Sequence, residues 1–347
     1  MMTTARGQLV DLAVTRYYHC ISRCVRRAML CGDGFEHRRQ WIEDRLELLA
    51  GCFSVSVCGF SVMDNHLHAL VRLDPEEAKG WSNEDVVRRW INVYPPKSPK
   101  GKAIEVTQAW VDHHTKDTKR ISLWRERLTD LGWFMKALKE PLARIANKED
   151  NCRGTFWESR FKSIAVLDAE ALLTICAYVD LNPVAAGVAA TPETSNHTSI
   201  RRRICHVKAM GKLEVLRVAS AGSVPGSKAA ASIEQDLWLC PLEDRRRQGA
   251  TREGMLEGFS LGSYLLLLDY TSRLCRRGKA RVGHEVASIL DRLGSNADVW
   301  SHRIKRLFSK TRLLGSYFAT DQARLRKLAG QRGRHHLDNL VGAITSE

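Results

Sequence analysis

The sequence MDNHLHALVR at residues 63–72 constrains this chain more than any other stretch. Its composition predicts a β-strand, in which side chains alternate between two faces. His66, His68 and Arg72 then share one face, and the three apolar residues that alternate with them form the packing face. Two imidazoles at a fixed separation suit a divalent metal ion. An isolated His-x-His pair is more often two ordinary half-buried histidines, and that alternative stays open at this point.

The residues before this strand predict its neighbours in a sheet. Residues 16–23 are rich in aromatic and β-branched residues and predict a strand, and residues 35–53 have the apolar spacing of an amphipathic helix. Residues 54–63 predict the next strand, and Asp64-Asn65 a tight turn into the histidine strand. The order strand, helix, strand, strand is typical of an α+β layer with helices on one face of an antiparallel sheet.

The strand and helix periodicity is interrupted between residues 74 and 130. Residues 94–101 form a proline-rich basic loop, and helical spacing returns in residues 84–91 and 126–146. We interpret this stretch as an insertion followed by a helix that Pro141 kinks or divides.

Residues 154–164 interleave aromatic and cationic side chains, among them Trp157, Arg160 and Lys162. Aromatic rings stack on bases and cations hold phosphates, so the pattern fits binding of single-stranded nucleic acid. It also fits a short strand that packs Trp157 and Phe161 into the core, and on this segment alone the core interpretation is favoured.

Residues 167–183 predict a helix that begins at Asp168, a good N-cap residue. At 100° per residue, Tyr178 lies beside the apolar stripe, with Thr174 and Asn182 one turn to either side on the same face. We expect Pro183 to end the helix. A tyrosine in this position can also be a core-edge residue with a bonded hydroxyl.

Together these stretches resemble a known family. Asn65-His66-Leu67-His68 followed by Tyr178-Val179-Asp180-Leu181-Asn182-Pro183 is similar to the single-tyrosine HUH transposases, and most of all to the REP-associated tyrosine transposases. Tyr18-His19-Cys20-Ile21-Ser22-Arg23 and Trp157-Glu158-Ser159-Arg160-Phe161 resemble segments of the same family. The resemblance covers roughly residues 15–190 without the insertion. It implies a ferredoxin-like catalytic domain that cuts and rejoins single-stranded or hairpin DNA.

The resemblance also implies a set of site residues. His66 and His68 would bind Mg²⁺ or Mn²⁺, with Asn182 as a third ligand, and Tyr178 would be the nucleophile. Attack by the phenol would give a 5′-phosphotyrosine and a free 3′-OH, which conserves the bond for rejoining without a high-energy cofactor. Many relatives carry a histidine close to the position of Ser163, where this chain departs from the pattern.

The charge of the chain agrees with a polyanionic partner. The 347 residues carry a formal net charge of +15 at pH 7, which favours nucleic acid. We expect DNA contacts from these residues: Arg23, Arg72, Trp157, Arg160, Lys162, Arg201 and Arg202. No stretch predicts a membrane span or a signal-peptide core, and the ten cysteines lack a Cys-x-x-Cys pair, so we expect a cytoplasmic protein with reduced thiols.

We predict two domains. Residues 1–190 form the catalytic domain, with the insertion at about 74–130, and residues 191–347 form a mostly helical, basic C-terminal domain. Helical spacing in this second half appears at residues 258–274, 285–293, 299–308 and 319–329. We expect this half to bind DNA or a protein and to help recognise a hairpin. A homodimer is compatible with the resemblance.

Three functions remain open on the sequence. The first is a DNA transposase that transfers single strands through a phosphotyrosine. The second is a domesticated, non-catalytic relative that binds DNA hairpins, which the departure at Ser163 favours slightly. The third, an RNA-directed nuclease or toxin, predicts RNA cleavage without a covalent adduct.

Overall fold

The computed structural model describes residues 10–212, 234–277, 296–308 and 317–318. A sheet lies at its centre in the strand order β2-β3-β1-β4-β7. The first four strands pair antiparallel, and β7 joins β4 in parallel. The strands of this sheet are β1 (Tyr17–Arg23), β2 (Val55–Val62), β3 (His66–Leu73), β4 (Lys162–Val166) and β7 (Tyr317–Phe318), and β5 (Glu243–Asp244) and β6 (Leu256–Glu257) form a separate parallel pair.

Helices surround the sheet, and short 3₁₀ turns occur at Val25–Arg27, Pro192–Thr194 and Arg246–Gln248. The helices are α1 (His37–Cys52), α2 (Pro75–Lys79), α3 (Asn83–Val93), α4 (Gln108–Thr115), α5 (Thr118–Thr129), α6 (Leu131–Glu149), α7 (Ala169–Ala185), α8 (Ser199–Ala209), α9 (Leu261–Arg277) and α10 (Ala297–Phe308). In the described residues, no helix combines the length and the apolar character needed to cross a bilayer.

The strand register sets the composition of each face. Residues opposite each other in an antiparallel pair share a face. Arg23 lies opposite His66, and Ile21 lies opposite both His68 and Lys162. The end of β1 and the starts of β3 and β4 therefore meet at one end of the sheet, where these side chains emerge on the imidazole face.

The prediction of helices on one face is wrong, because both faces are covered. Helices α1 and α6 pack on the face that carries Leu67, Ala69 and Val71, as expected. Helices α7, α8, α9 and α10 cover the imidazole face, where Leu70 is fully buried. The physical reason lies in α7, which is apolar nearly all round. Such a helix must be covered on more than one side.

Two prolines lie inside helices that we expected them to interrupt. The helical region divides at Asp130, whose carboxylate caps α6 by accepting the Trp133 N–H at 2.7 Å. Pro141 lies within α6, where its missing N–H leaves the Ala137 carbonyl without its helical donor. The Arg45 guanidinium donates to that carbonyl at 3.1 Å. The freed acceptor is thereby satisfied and α6 continues.

The prediction that Pro183 ends the tyrosine helix is also wrong. Helix α7 continues through Pro183 to Ala185, and the Ala186 N–H donates to the Asn182 carbonyl at 3.0 Å. Asn182 consequently lies in regular helix, one full turn from Tyr178.

The insertion has more regular structure than its sequence suggests. It contains α2 to α5, which pack on one another and on α1 and α6. The predicted strand in residues 154–164 begins only at Lys162.

In the second half, the helices expected at residues 258–274 and 299–308 are α9 and α10, whereas those expected at 285–293 and 319–329 lie outside the described residues. Both α9 and α10 share a hydrophobic cluster with α7. The domain boundary at residue 190 stays a prediction.

Candidate active site

Helix α7 lies across the imidazole face and sets Tyr178 over the histidines of β3. The ring centroids of Tyr178 and His68 are 5.4 Å apart with the planes nearly perpendicular, and those of His66 and His68 are 4.9 Å apart. Tyr178 and the His-x-His pair are separated by more than a hundred residues in sequence. The fold nevertheless brings together the phenol and the two imidazoles that the strand and helix patterns selected.

Asn182 extends this group by one helical turn. Its side-chain nitrogen lies 3.4 Å from His68 Nε2, and its side chain acts on the pKa of both His66 and Tyr178. The amide is buried, so these contacts take place away from bulk water. A half-turn of the amide would present its oxygen to the imidazoles instead of its nitrogen.

A third histidine, which the sequence analysis did not select, completes the group. His19 of β1 is buried, and its Nε2 lies 2.9 Å from His68 Nδ1. Its ring also meets the Tyr178 ring at 6.0 Å, edge to face. The available signal was strand alternation, because His19 shares a face of β1 with Arg23. The pairing of β1 with β3 was not visible in the sequence.

Second partners fix the tautomers of both β3 histidines. The Asn65 side-chain oxygen can only accept a hydrogen bond, so His66 Nδ1 donates to it at 2.7 Å and Nε2 keeps its lone pair. His68 Nδ1 donates to His19 Nε2 when the Asn182 amide N–H faces His68 Nε2. Both imidazoles then keep an unprotonated Nε2, and that of His68 faces Asn182.

Burial keeps these imidazoles neutral at pH 7. Burial, helped by the nearby Arg23 charge, lowers the pKa of His66 to about 4. Burial lowers the pKa of His19 to about 3 and lowers the pKa of His68 well below its ordinary value. Neutral imidazole is the form that binds metal ions.

The phenol is held in its protonated form. Burial raises the pKa of Tyr178, while the hydrogen bond from Asn182 and the charge of Arg23 act in the opposite direction. A chemical role for Tyr178 as a nucleophile therefore needs its proton to be removed in the reaction.

Among the described residues, no group of three or more His, Cys, Asp or Glu side chains is arranged to hold a metal ion. The donor set that Tyr178 faces is instead two imidazole nitrogens and one amide. Two nitrogens and one oxygen form an incomplete coordination shell, which is the pattern of sites that keep open positions.

Arg23 and Lys162 border the site, and Arg160 is exposed in the segment that leads into β4. These positions fit the predicted contacts with phosphates. The Trp157 side chain is 8% exposed, and its indole N–H donates to the Lys139 carbonyl at 3.1 Å. Trp157 therefore belongs mainly to the core, as that segment alone favoured.

The prediction that Arg72 contacts DNA needs correction. Arg72 lies on the imidazole face, as the alternation requires, but its side chain is only 4% exposed. Its guanidinium pairs with Asp74 at 2.8 Å and donates to the Gly254 carbonyl at 3.0 Å. The segment at residues 253–254 covers it, so its role is to fasten β3 to the second half of the chain.

Arg201 and Arg202 lie on α8, which contacts the edge strand β2. Arg201 donates to the Glu193 carbonyl at 2.7 Å, and Arg202 forms an ion pair with the buried Glu43. Both guanidinium groups thus have acceptors within the chain, and their contact with DNA stays a prediction.

Comparisons with known proteins add little to this geometry. No protein-family model matches the chain, and no curated protein matches it. The chain is similar to a solved structure described as "Structure of the REP associates tyrosine transposase bound to a REP hairpin", with 10% identity and a TM-score of 0.33. The match covers 55% of this chain and 80% of that chain. A TM-score this low does not establish a shared fold.

Proposed function

We propose that this chain is a metal-dependent DNA strand-transfer enzyme of the single-tyrosine HUH type that acts on single-stranded or hairpin DNA. One observation carries the proposal. The Tyr178 ring lies 5.4 Å from the ring of His68, and Asn182, one turn further along the same helix, places its side-chain nitrogen 3.4 Å from His68 Nε2. A nucleophile and a metal-ligand set converge on a space bordered by cations, as phosphodiester chemistry requires.

The topology supports the fold that this activity implies. The chain runs β1, α1, β2, β3, α6, β4, with the helices of the insertion between β3 and α6. Its first four strands have the order β2-β3-β1-β4, and α1 and α6 lie on one face. This is the order of a ferredoxin-like β-α-β-β-α-β unit.

The donor set fits a divalent cation. His66 and His68 would hold it through Nε2, and Asn182 would add its amide oxygen. When bound, Mg²⁺ or Mn²⁺ would polarise the phosphate and stabilise the charge that develops on its oxygens. Manganese accepts imidazole nitrogen more readily than magnesium does, so we expect the stronger activity with Mn²⁺.

Tyr178 performs the covalent step. Its phenol oxygen attacks phosphorus and gives up its proton, the bond from phosphorus to the 3′ oxygen breaks, and that oxygen leaves as a 3′-OH. The 5′ end of the downstream fragment is then attached to Tyr178. Asn182 and Arg23 assist because both lower the pKa of the phenol against the effect of burial. His19 acts as a positioning residue, since it fixes the ring of His68 and directs Nε2 towards Asn182.

The departure from the family pattern falls close to Ser163. Ser163 lies opposite Cys20, and Cys20 belongs to the core between the sheet and α1. The Ser163 side chain therefore points away from the imidazole face, whereas its neighbour Lys162 lies opposite Ile21 on that face. The proposed site uses the three histidines, Tyr178 and Asn182.

The test is a covalent adduct on a denaturing gel. The substrate is a pool of DNA hairpins with randomised single-stranded flanks, labelled at the 3′ end because the 3′ fragment would stay on the protein. We expect a labelled protein band with Mn²⁺ that is absent with EDTA and absent from Tyr178→Phe. Tyr94→Phe is the matched control, because Tyr94 lies at the end of α3, and it should retain the band.

Two results would overturn the proposal. One is no band from the pool with either metal, while the chain still binds the hairpins, which would identify the non-catalytic hairpin binder. The other is a band that persists in Tyr178→Phe. Cleavage of RNA without an adduct would instead identify the nuclease.

A further inference from the structure

A concave site lies between α6 and the segment that leads into β4, on the side of the sheet opposite the imidazoles. It has a volume of about 530 Å³. Its walls include two tryptophans, Trp133 and Trp157, and three cations, Lys136, Lys139 and Arg160. Pockets of about 300–1,000 Å³ commonly bury one small organic ligand, so the volume is sufficient for a nucleotide.

The pocket is connected to the imidazole end of the sheet through the backbone. Trp157 forms a β-bridge with Cys24, and the Glu158 N–H donates to the Arg23 carbonyl at 2.8 Å. Arg23 in turn lies opposite His66. The wall of the pocket is therefore attached to the strand end that carries the candidate active site.

Aromatic rings and cations alternate within the pocket. The Lys136 ammonium lies 4.6 Å from the centre of the Trp133 ring, and the Lys139 ammonium lies 5.3 Å from that of Trp157. Trp133 is half-buried, whereas Trp157 is nearly buried. The Arg127 guanidinium also lies over the Trp133 ring, 4.2 Å from its centre, so a base would meet the part of Trp133 that faces the pocket, and Trp157 forms a fixed wall.

The carboxylates of the pocket already have partners. Asp130 caps α6, and Glu140 pairs with Arg144 and, at 4.0 Å, with Lys136 on its own helix. The outer cations Lys136 and Arg160 are exposed. A ring for a base and exposed cations for a phosphate are the two features by which proteins hold single-stranded nucleic acid without reading its sequence.

We infer that this pocket binds one unpaired nucleotide of the single strand that flanks the hairpin, with its base against Trp133 and its phosphate near Lys136 and Arg160. The inference rests on the proposed function, because that function supplies the DNA strand that would reach the pocket. It adds a site that anchors the flank of a hairpin while the scissile phosphate lies at the histidines.

The test measures binding alone, in full-length Tyr178→Phe, so it does not depend on cleavage. The probes are DNA hairpins with a short single-stranded thymidine flank on either side, each with one abasic residue at a different flank position. We expect one position at which loss of the base weakens binding by about ten-fold, the scale of one base stacked on an aromatic ring. Trp133→Leu should weaken binding of the intact probe to the same extent and abolish the effect of that abasic residue.

Trp124→Leu is the matched control. Trp124 is also half-buried and stacks on Trp90 at 5.3 Å, but it does not line the pocket. It should retain the full abasic effect.

Lys136→Gln should lower the slope of log affinity against log salt by about 0.7, the value for one phosphate of a single strand. Melting curves of each variant verify that it is folded.

The inference is overturned if Trp133→Leu keeps the abasic effect, or if no flank position shows one while the hairpin binds. Failure to bind any of the DNA probes would overturn it as well. A normal abasic effect together with no phosphotyrosine adduct in the parent chain would uphold the pocket and reject the proposed enzyme, so the two failures are distinguishable.

Discussion

The two faces of β3 are both buried, but they are held in different ways. On the face towards α1 and α6, Leu67, Ala69 and Val71 are fully buried and need only apolar neighbours. On the other face His68 and Arg72 are buried almost as completely, and each is held by named polar partners. A polar group loses water on burial and must replace its hydrogen bonds. The second face therefore required polar partners, which β1, Asp74 and the segment at residues 253–254 supply.

The imidazole face is itself divided into two ends. At the Arg72 end the partners are an aspartate and backbone carbonyls, so charge and donors are satisfied within the chain. At the His66 end the imidazoles keep lone pairs, that of His68 facing Asn182, and have Arg23 and Lys162 beside them. The difference indicates a structural end and a chemical end on one strand.

The largest effect is expected at the structural end. Arg72→Ala removes one of the two cations that pair with the buried Asp74, the other being Arg16, and breaking a buried pair costs up to about 3–5 kcal/mol in the free energy of unfolding. Denaturant unfolding, followed by circular dichroism, measures this loss in the free energy of unfolding. Arg88→Ala, which removes an exposed ion pair with Glu84 on α3, is the control and should cost less than about 1 kcal/mol. Equal, small losses for both variants would mean that Arg72 is not the fastening residue described above.

A smaller effect is expected at the chemical end. His19→Phe removes the acceptor for His68 Nδ1, and loss of such a partner typically weakens metal binding by about 10–100-fold. Titration of the metal-free protein with Mn²⁺, followed by electron paramagnetic resonance, measures the affinity. His19→Gln offers an acceptor oxygen and should restore part of it.

The nitrogen NMR shifts of His68 in the metal-free chain separate positioning from general destabilisation. They should report protonated Nδ1 in the parent and a mixed tautomer in His19→Phe. An unchanged tautomer and unchanged Mn²⁺ affinity would remove His19 from the site.

The smallest effect is expected in the pH dependence of the free energy of unfolding of the metal-free chain. The folded-state pKa values of His66, about 4, and His19, about 3, lie below the ordinary value of 6.5. Between about pH 6.5 and pH 4 the unfolded chain therefore binds more protons, and the free energy of unfolding falls as the pH falls. Each such histidine contributes a slope of up to about 1.4 kcal/mol per pH unit.

Denaturant unfolding in EDTA across this range measures the slope, and His19→Gln should reduce it by the share of one histidine. A slope that is the same in both proteins would show that His19 is not held neutral by burial.

Strand and helix periodicity was sufficient to select the side chains that converge at the candidate site but not their surroundings. Alternation placed His66 and His68 on one face, and helical spacing placed Asn182 one turn from Tyr178, because these relations are local. The burial of Arg72 depends on residues 253–254, almost two hundred positions away, and no local pattern reports such a cover. His19 was missed for the same reason, since its role arises from the pairing of β1 with β3.

The two prolines show a related limit. Pro141 was expected to interrupt a helix, and in isolation it would cost about 3 kcal/mol. The Arg45 side chain, from another helix, satisfies the carbonyl that Pro141 frees. Propensity therefore failed where a tertiary contact compensated for it.

The central claim is that Tyr178 reacts because it faces the imidazoles of its own chain. Mass spectrometry of proteolytic peptides, after reaction with hairpin DNA and nuclease trimming, tests it most directly. We predict a nucleotide joined through its 5′ phosphate to the peptide that contains Tyr178, dependent on Mn²⁺ and absent from His68→Ala. A nucleotide on any other tyrosine, or one on Tyr178 that forms equally in EDTA, would contradict the claim.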